Sequence, residues 1–369
     1  MRMRITGLLL FVLVTSLSAG AAQVTDLYQA EVEATGGAAQ WQRLALQQVL
    51  VRVTGNADIA SLPAIAPELA APSAYVKQFE SVRHQDGNRM RVLLDAVKIN
   101  QLLQSNQLPV WGNMRPDILV WLVVQDGQQR RFIRSADTEL TTALQKAFKQ
   151  SALPLLQPLY DFDDVNQLSD TDVWAGFWQP ITQASGRYNP DIVIAATVDM
   201  QAGEGDAALK LSWQRQADNR TFRDEVTAAD ADSLMQAFAS LLASQLAQQY
   251  ASVLSSESGA QLLLEVQQLQ NLADIVNVQR LLQQLVGVTE VTISRFANGS
   301  AYYLISSSTG ADGLMNALRF SPRLKLAVSA SPTATEFSEP VLGTVETAQP
   351  QALDSTAVPV LATFIYSRP

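Results

Sequence analysis

Leu108 to Gly127 reads LPVWGNMRPDILVWLVVQDG, and the seven residues Ile118 to Val124 within it decide the fold. They form an unbroken run of Ile, Leu, Val and Trp, bounded by Pro116 on one side and Gln125-Asp126-Gly127 on the other. A run that short, rich in β-branched residues and closed by turn chemistry, predicts a strand covered on both faces. A buried helix segment is the competing reading, and the length of the run argues against it. Covering a strand on both sides requires helices, which the flanking sequence supplies. Pro109 to Trp111 closes one predicted module, and Asp117 opens the next.

Toward the N-terminus, residues 23–112 read as a first αβ module. Val24 to Glu33 is a predicted strand, Thr35-Gly36-Gly37 a turn, and Ala38 to Thr54 a helix. Leu46, Val49, Leu50 and Val53 fall at i, i+3, i+4 and i+7, which makes one apolar face. Gly55 suits the left-handed position after the last turn. Pro63, Pro67 and Pro72 break the next stretch into a loop. Tyr75 to Val82 and Met90 to Leu94 are strands joined through His84-Gln85-Asp86-Gly87-Asn88, and Asp95 caps a helix through Gln104.

Toward the C-terminus, residues 113–255 read as a central α/β module. After the opening strand come a short strand at Arg131 to Ile133, a helix at Thr138 to Gln150 and a short strand at Leu153 to Leu156. An acidic loop leads into a helix from Asp172 to Ser185. Ile192 to Val198 is a second buried strand, Ala208 to Gln214 and Thr221 to Val226 an antiparallel pair, and Asp232 to Val253 a long helix. Residues 260–328 give strand, helix, two strands joined at Asn298-Gly299, helix and strand, the split ferredoxin-like order. From 329 to 369 the texture turns to Ser, Thr, Ala and Pro and predicts a disordered tail, with a short apolar piece at Leu361 to Tyr366. The expected class is mixed, α+β with α/β character: three small αβ-sandwich modules, the third ferredoxin-like, plus the tail.

Residues 1–22 carry the pattern of a secretory leader. Arg2 and Arg4 are its basic region, Ile5 to Leu17 its apolar region, and Ala19-Gly20-Ala21 its small-residue cleavage site. An uncleaved anchor is the alternative, but the apolar run is shorter than the ~20 residues a span needs. No later segment approaches that length, so no integral membrane span and a periplasmic location are expected. The sequence has no cysteine, which excludes a lipid anchor on cysteine, disulfides, thiolate metal sites and thiol nucleophiles. Loss of Arg2 and Arg4 with the leader takes the formal charge from −9 to −11, a balance that argues against nucleic acid and anionic lipid.

Catalytic chemistry has few footholds. The single histidine, His84, falls in a predicted polar turn, and there is no G-x-S-x-G elbow, phosphate loop or dinucleotide turn, so no cofactor is expected. Asp161, Asp163, Asp164, Asp170 and Asp172 crowd YDFDDVNQLSDTD and could offer oxygens to calcium or a carboxylate pair to a hydrolase. The segment departs from an EF-hand, with Val165 at the fifth position and Asn166 where glycine belongs, and a solvated loop whose Asp172 caps the following helix is the simpler reading. Trp174 and Trp178, four apart, are expected to share a helix face with Ile181, as core or as a partner-binding surface. Trp111 stands where the first two modules meet.

Four pieces carry a resemblance: A-L-x-x-V-L-V-R-V-T-G at Ala45 to Gly55, L-P-V-W-G at Leu108 to Gly112, R-P-D-I-L-V-W-L at Arg115 to Leu122, and D-V-W-A-G-F at Asp172 to Phe177. Together they resemble the Gram-negative envelope family catalogued as domain of unknown function 2066, over about residues 25–328. The family has no assigned catalytic residues, so the resemblance implies none here. The module order is also similar to that of a three-domain periplasmic flagellar ring protein. The central module looks like the amino-terminal domain of the Tol-system β-propeller protein and like outer-membrane activators of peptidoglycan synthases. These likenesses imply scaffold or adaptor work with an envelope protein partner. The expected function is therefore a non-enzymatic periplasmic interaction protein. The alternatives are an envelope hydrolase or lyase using the 161–172 carboxylates, and a small-ligand binder in a cleft between modules.

Overall fold

The computed structural model describes residues 24–84, 87–133, 137–201, 209–217, 220–255, 260–327 and 358–368. The leader expected at 1–22 and most of the expected tail, 329–357, lie outside the described residues. The class is mixed α and β, as the sequence predicts.

The first sheet has the order β1-β3-β2, from β1 (Gln29–Glu33), β2 (Val76–His84) and β3 (Gly87–Leu94), all antiparallel. Helix α1 (Ala38–Thr54) packs on it with Leu46, Val49, Leu50 and Val53 fully buried, a burial worth ~1.5–3 kcal/mol for each side chain. Gly55 ends the helix at φ 68°. A β-carbon there would stand 2.1 Å from Ala247 Cβ, so only glycine permits this approach between helices. Asp95 accepts hydrogen bonds from the amides of Val97 and Lys98 to open α2 (Ala96–Ser105).

In the central sheet the apolar run becomes β5 (Ile118–Asp126). It pairs in parallel with β8 (Ile192–Asp199), while β9 (Leu209–Ala217) and β10 (Arg220–Ala228) continue outward antiparallel. On its other side β5 pairs with β6 (Gln129–Phe132) and, near its start, with β7 (Leu155–Leu156). The pleat divides the run between two cores. Ile118, Val120, Leu122 and Val124 join the core beneath α3 (Thr138–Gln150) and α7 (Ala231–Tyr250). Leu119, Trp121 and Val123 join a second core with Val173 and Ile181 on the opposite face. Both faces are covered, as the unbroken apolar run requires.

One expected element is corrected. In place of one helix from Asp172 to Ser185 there are two, α5 (Asp170–Ala175) and α6 (Trp178–Ser185), and the expected acidic loop before them carries a short helix of its own, α4 (Phe162–Gln167). Gly176, at φ 72°, ends α5 in the left-handed region and turns the chain before Trp178. The helix cap is Ser169, with Asp172 as its capping-box partner.

The third sheet has the order β13-β14-β12-β16-β15. Its strands are β12 (Ala260–Gln267), β13 (Val288–Ala297), β14 (Ser300–Ser307), β15 (Leu324–Leu326) and β16 (Val360–Tyr366). Asn298 and Gly299, at φ 53° and 76°, make the hairpin turn between β13 and β14. Helices α8 (Leu272–Gln283) and α9 (Gly310–Leu318) complete the split order. The expectation of a disordered tail is corrected at its far end. β16 lies between β12 and β15, parallel to the first and antiparallel to the second, and buries Phe364 and Tyr366. Beyond the strand, Arg368 reaches the buried Asp274 carboxylate at 2.7 Å.

Candidate binding cleft between the first and central modules

The junction is built around two buried cations. Trp111 is 2% exposed, and its amide donates to Val53 O at the end of α1 (2.8 Å). The Arg115 guanidinium lies 4.0 Å over the Trp111 ring and has no exposure. Its Nε donates to Gly112 O, its Nη1 to Ser151 O and Ala152 O, and its Nη2 to Arg52 O and Trp111 O, at 2.7–3.2 Å. Every acceptor is a backbone carbonyl. Arg52, on α1, is 6% exposed. Its Nε donates to Gln150 O (3.0 Å) and its Nη1 to Asp26 O (3.1 Å) and Gln29 O (2.6 Å). Burial pulls both guanidinium pKa values down from their ordinary range, and the Arg52 charge adds to the effect at Arg115. The carbonyl dipoles act in the other direction and hold the protons.

Above Arg52 opens a cavity of about 480 Å³. Gln47, Gln48 and Val51 of α1 and Glu31 and Glu33 of β1 line one wall. Lys146 and Gln150 of α3 and Gln236 and Ser240 of α7 line the other, with Arg52 and Gly55 between them. At one end of it Gly55 brings α1 close to Ala243 and Ala247 of α7. Its charges are partly engaged: Lys146 pairs with Asp232 at 2.5 Å, and Glu31 with His84 at 2.6 Å and Arg91 at 3.4 Å. What remains is dominated by side-chain amides, each both donor and acceptor. Neither Arg52, Arg115 nor the glutamines are singled out by sequence reasoning. One signal was present: Arg52 falls three residues after Val49 on the buried face of α1, where a charge must find partners.

Of the carboxylates of 161–172, Asp161, Asp164 and Asp172 are committed to structure. Asp161 binds Arg187 through both oxygens (2.8 and 3.0 Å) and caps α4 by accepting from the Asp164 amide. Asp164 is 2% exposed and accepts from Arg187 Nη1 (3.0 Å), Tyr188 OH (2.6 Å) and the Tyr160 amide (2.8 Å). Asp172 closes the capping box, while Asp163 and Asp170 lie in the first turns of α4 and α5. Arg187 holds the Asp161 carboxyl below the usual range. Among the described residues no three His, Asp or Glu side chains are grouped to hold a metal ion. His84 ends β2 and faces Glu31.

Trp174 and Trp178 stand on different helices, a correction that follows from the turn at Gly176. Trp174 is half-buried, with the Arg130 guanidinium 4.3 Å from its ring centre. It borders a groove of about 560 Å³ floored by Thr197, Ser212, Gln214, Arg223 and Glu225. Trp178 packs against the core around Trp121, and its Nε1 is buried with no hydrogen-bond partner among the described residues. No described helix is long and apolar enough to cross a membrane.

A family model described as a domain of unknown function (DUF8605) matches residues 21–112, the region that supplies α1, Arg52 and one wall of the cleft. No curated protein and no solved structure matches the chain. Nothing in these matches connects the chain to domain of unknown function 2066, to flagellar ring proteins or to activators of peptidoglycan synthases.

Proposed function

We propose that the chain is an exported, non-enzymatic interaction protein of the Gram-negative envelope, and that it receives a segment of its partner in the cleft between α1 and the α3–α7 pair. The cleft itself carries this reading. Its volume of about 480 Å³ falls in the range of ligand sites, it sits where two modules meet, and amides line much of it. The leader pattern and the acidic balance support export and a partner other than nucleic acid. The engagement of Asp161, Asp164 and Asp172 in caps and ion pairs supports binding over hydrolysis, because a general acid or base must be free to meet substrate.

A photo-crosslinking side chain at Gln47 or Gln236, in the protein exported by its native host, tests the reading. A discrete adduct from both positions is expected, and Ser240→Arg should abolish it. The same probe at exposed Gln129 on β6 should give none. Adducts of equal yield at all three positions would overturn the cleft as the binding site.

A further inference from the structure

Two whole positive charges lie close together at the junction, one of them lining the cleft, and among the described residues no carboxylate is bonded to either. Among the described residues Arg52 and Arg115 form no salt bridge, and all their hydrogen bonds end on carbonyl oxygens. Asp26 acts on Arg52 through space and offsets only part of the desolvation. A buried cation answered by dipoles alone is destabilised relative to one answered by an anion. In an acidic chain, such a spot is conspicuous. Arg52 lines the cavity, whereas Arg115 lies behind it, bonded to the Arg52 carbonyl at 2.7 Å.

We propose that the cleft binds a carboxylate at Arg52, and that this carboxylate is the C-terminal group of an extended peptide. This assignment rests on the cleft being the binding site. Among the described residues Nη2 of Arg52 makes no hydrogen bond, so it is the atom left to donate to a carboxylate, and a charge-assisted hydrogen bond of that kind is among the stronger polar contacts proteins make. The rest of the ligand is indicated by the walls. Gln47, Gln48, Gln150 and Gln236 offer donors and acceptors on both sides, the complement of a peptide backbone. Lys146 and Arg89 add positive potential, although Lys146 is paired with Asp232 and Arg89 also has partners. Glu31 and Glu33 on the opposite wall disfavour a ligand with several negative charges, so a single carboxylate fits better than a phosphate.

The test uses the mature full chain and a mixed-sequence tripeptide library, prepared once with free C-terminal carboxylates and once as C-terminal amides. Bound peptides are recovered by ultrafiltration and measured by mass spectrometry, and acetate is added as a competitor. Retention of the free-acid pool at least about tenfold above the amidated pool is expected, since hydrogen bonds to a charged group are worth that much or more. Ser240→Trp, which fills the cleft and leaves the Arg52 side chain itself unchanged, should abolish retention while leaving the melting temperature in place. Arg52→Lys, where it folds, should shrink the preference for the free acid because a single ammonium cannot keep the bonds to Gln150 O, Asp26 O and Gln29 O and also donate into the cleft. Equal retention of both pools would overturn the carboxylate and leave the cleft standing. The peptide carboxylate is likewise overturned if acetate alone saturates the site, or if neither pool is held while adducts still form at Gln47 and Gln236. Loss of both retention and adducts would remove the cleft as well.

Discussion

Arg115 shows how a single side chain can join two parts of the chain. Its five hydrogen bonds go to carbonyls on both sides of the junction, one of them 63 residues away in sequence. Arg115→Met leaves those carbonyls buried without donors and should destabilise by about 3–5 kcal/mol in denaturant unfolding, the range for breaking a buried charged network. Trp111→Ala removes a buried ring and should lower stability by about 3–5 kcal/mol as well. The two effects should fall short of additivity in the double variant, because guanidinium and ring are in contact. A different residue pair governs acid behaviour. Arg368 holds the Asp274 carboxyl below its ordinary value, and the ion pair stabilises the native state. Its contribution is complete above the unfolded carboxylate value of about 3.9 and is lost as pH falls through the lower folded value. Asp274→Asn should therefore lower the melting temperature at pH 7 and leave less difference from wild type as the pH approaches the most acidic values. Caps such as Asp95 and Asn271 were legible in the sequence because their partners lie two or three residues away. The role of Arg115 was not, because its bonds to Arg52, Ser151 and Ala152 are made only once the chain has folded.

At the scale of elements, periodicity carried most of the reading. Helices α1 and α3 have the predicted bounds, and the β5 run is covered on both faces. Two elements escaped it for physical reasons. The apolar spacing through Asp172 to Ser185 continues across Gly176, but the left-handed turn there re-aims the chain, so pattern alone merges two helices. Gly176→Ala tests this: it forces a β-carbon into the left-handed region and should destabilise by about 1–2 kcal/mol in chemical denaturation. Strand β16 was hidden in its surroundings, a seven-residue apolar segment behind a long Ser-, Thr- and Pro-rich stretch. It nevertheless supplies Phe364 and Tyr366 to the third core and separates β12 from β15. Deleting residues 358–369 should expose that core and unpair both neighbours. Amide exchange should then accelerate in β12 and β15 while β5 and β8 keep their protection. Unchanged exchange in β12 would mean that the strand contributes little to the sheet.

For the whole molecule, the placement of cross-module bonds sets how it comes apart. Between the first and central modules the links are numerous and buried. Arg52 reaches Gln150 O, Arg115 reaches Arg52 O, the Trp111 amide reaches Val53 O, and Gly55 sits against Ala247. A two-residue pairing of β4 (Pro109–Val110) with β11 (Ser252–Val253) joins the same two modules. The links to the third sheet are lighter: the Ser255 amide donating to Ser308 O (2.7 Å), Met114 packed in the third core, the Tyr250–Phe320 ring contact, and a seam where Asn113 Oδ1 is buried without a partner among the described residues. Bodies that share buried charged bonds lose them together, whereas a body held by a few contacts can open on its own. The mature chain should therefore unfold in two calorimetric steps, with the first and central cores melting in a single transition and the third sheet in another. Arg115→Met should split the shared transition, because the carbonyls it bridges belong to both sides. Asp274→Asn should move only the step of the third sheet. Three separate steps in the wild-type protein, or a shared transition unmoved by Arg115→Met, would show that the buried guanidinium does not couple the two bodies whose cleft it underlies.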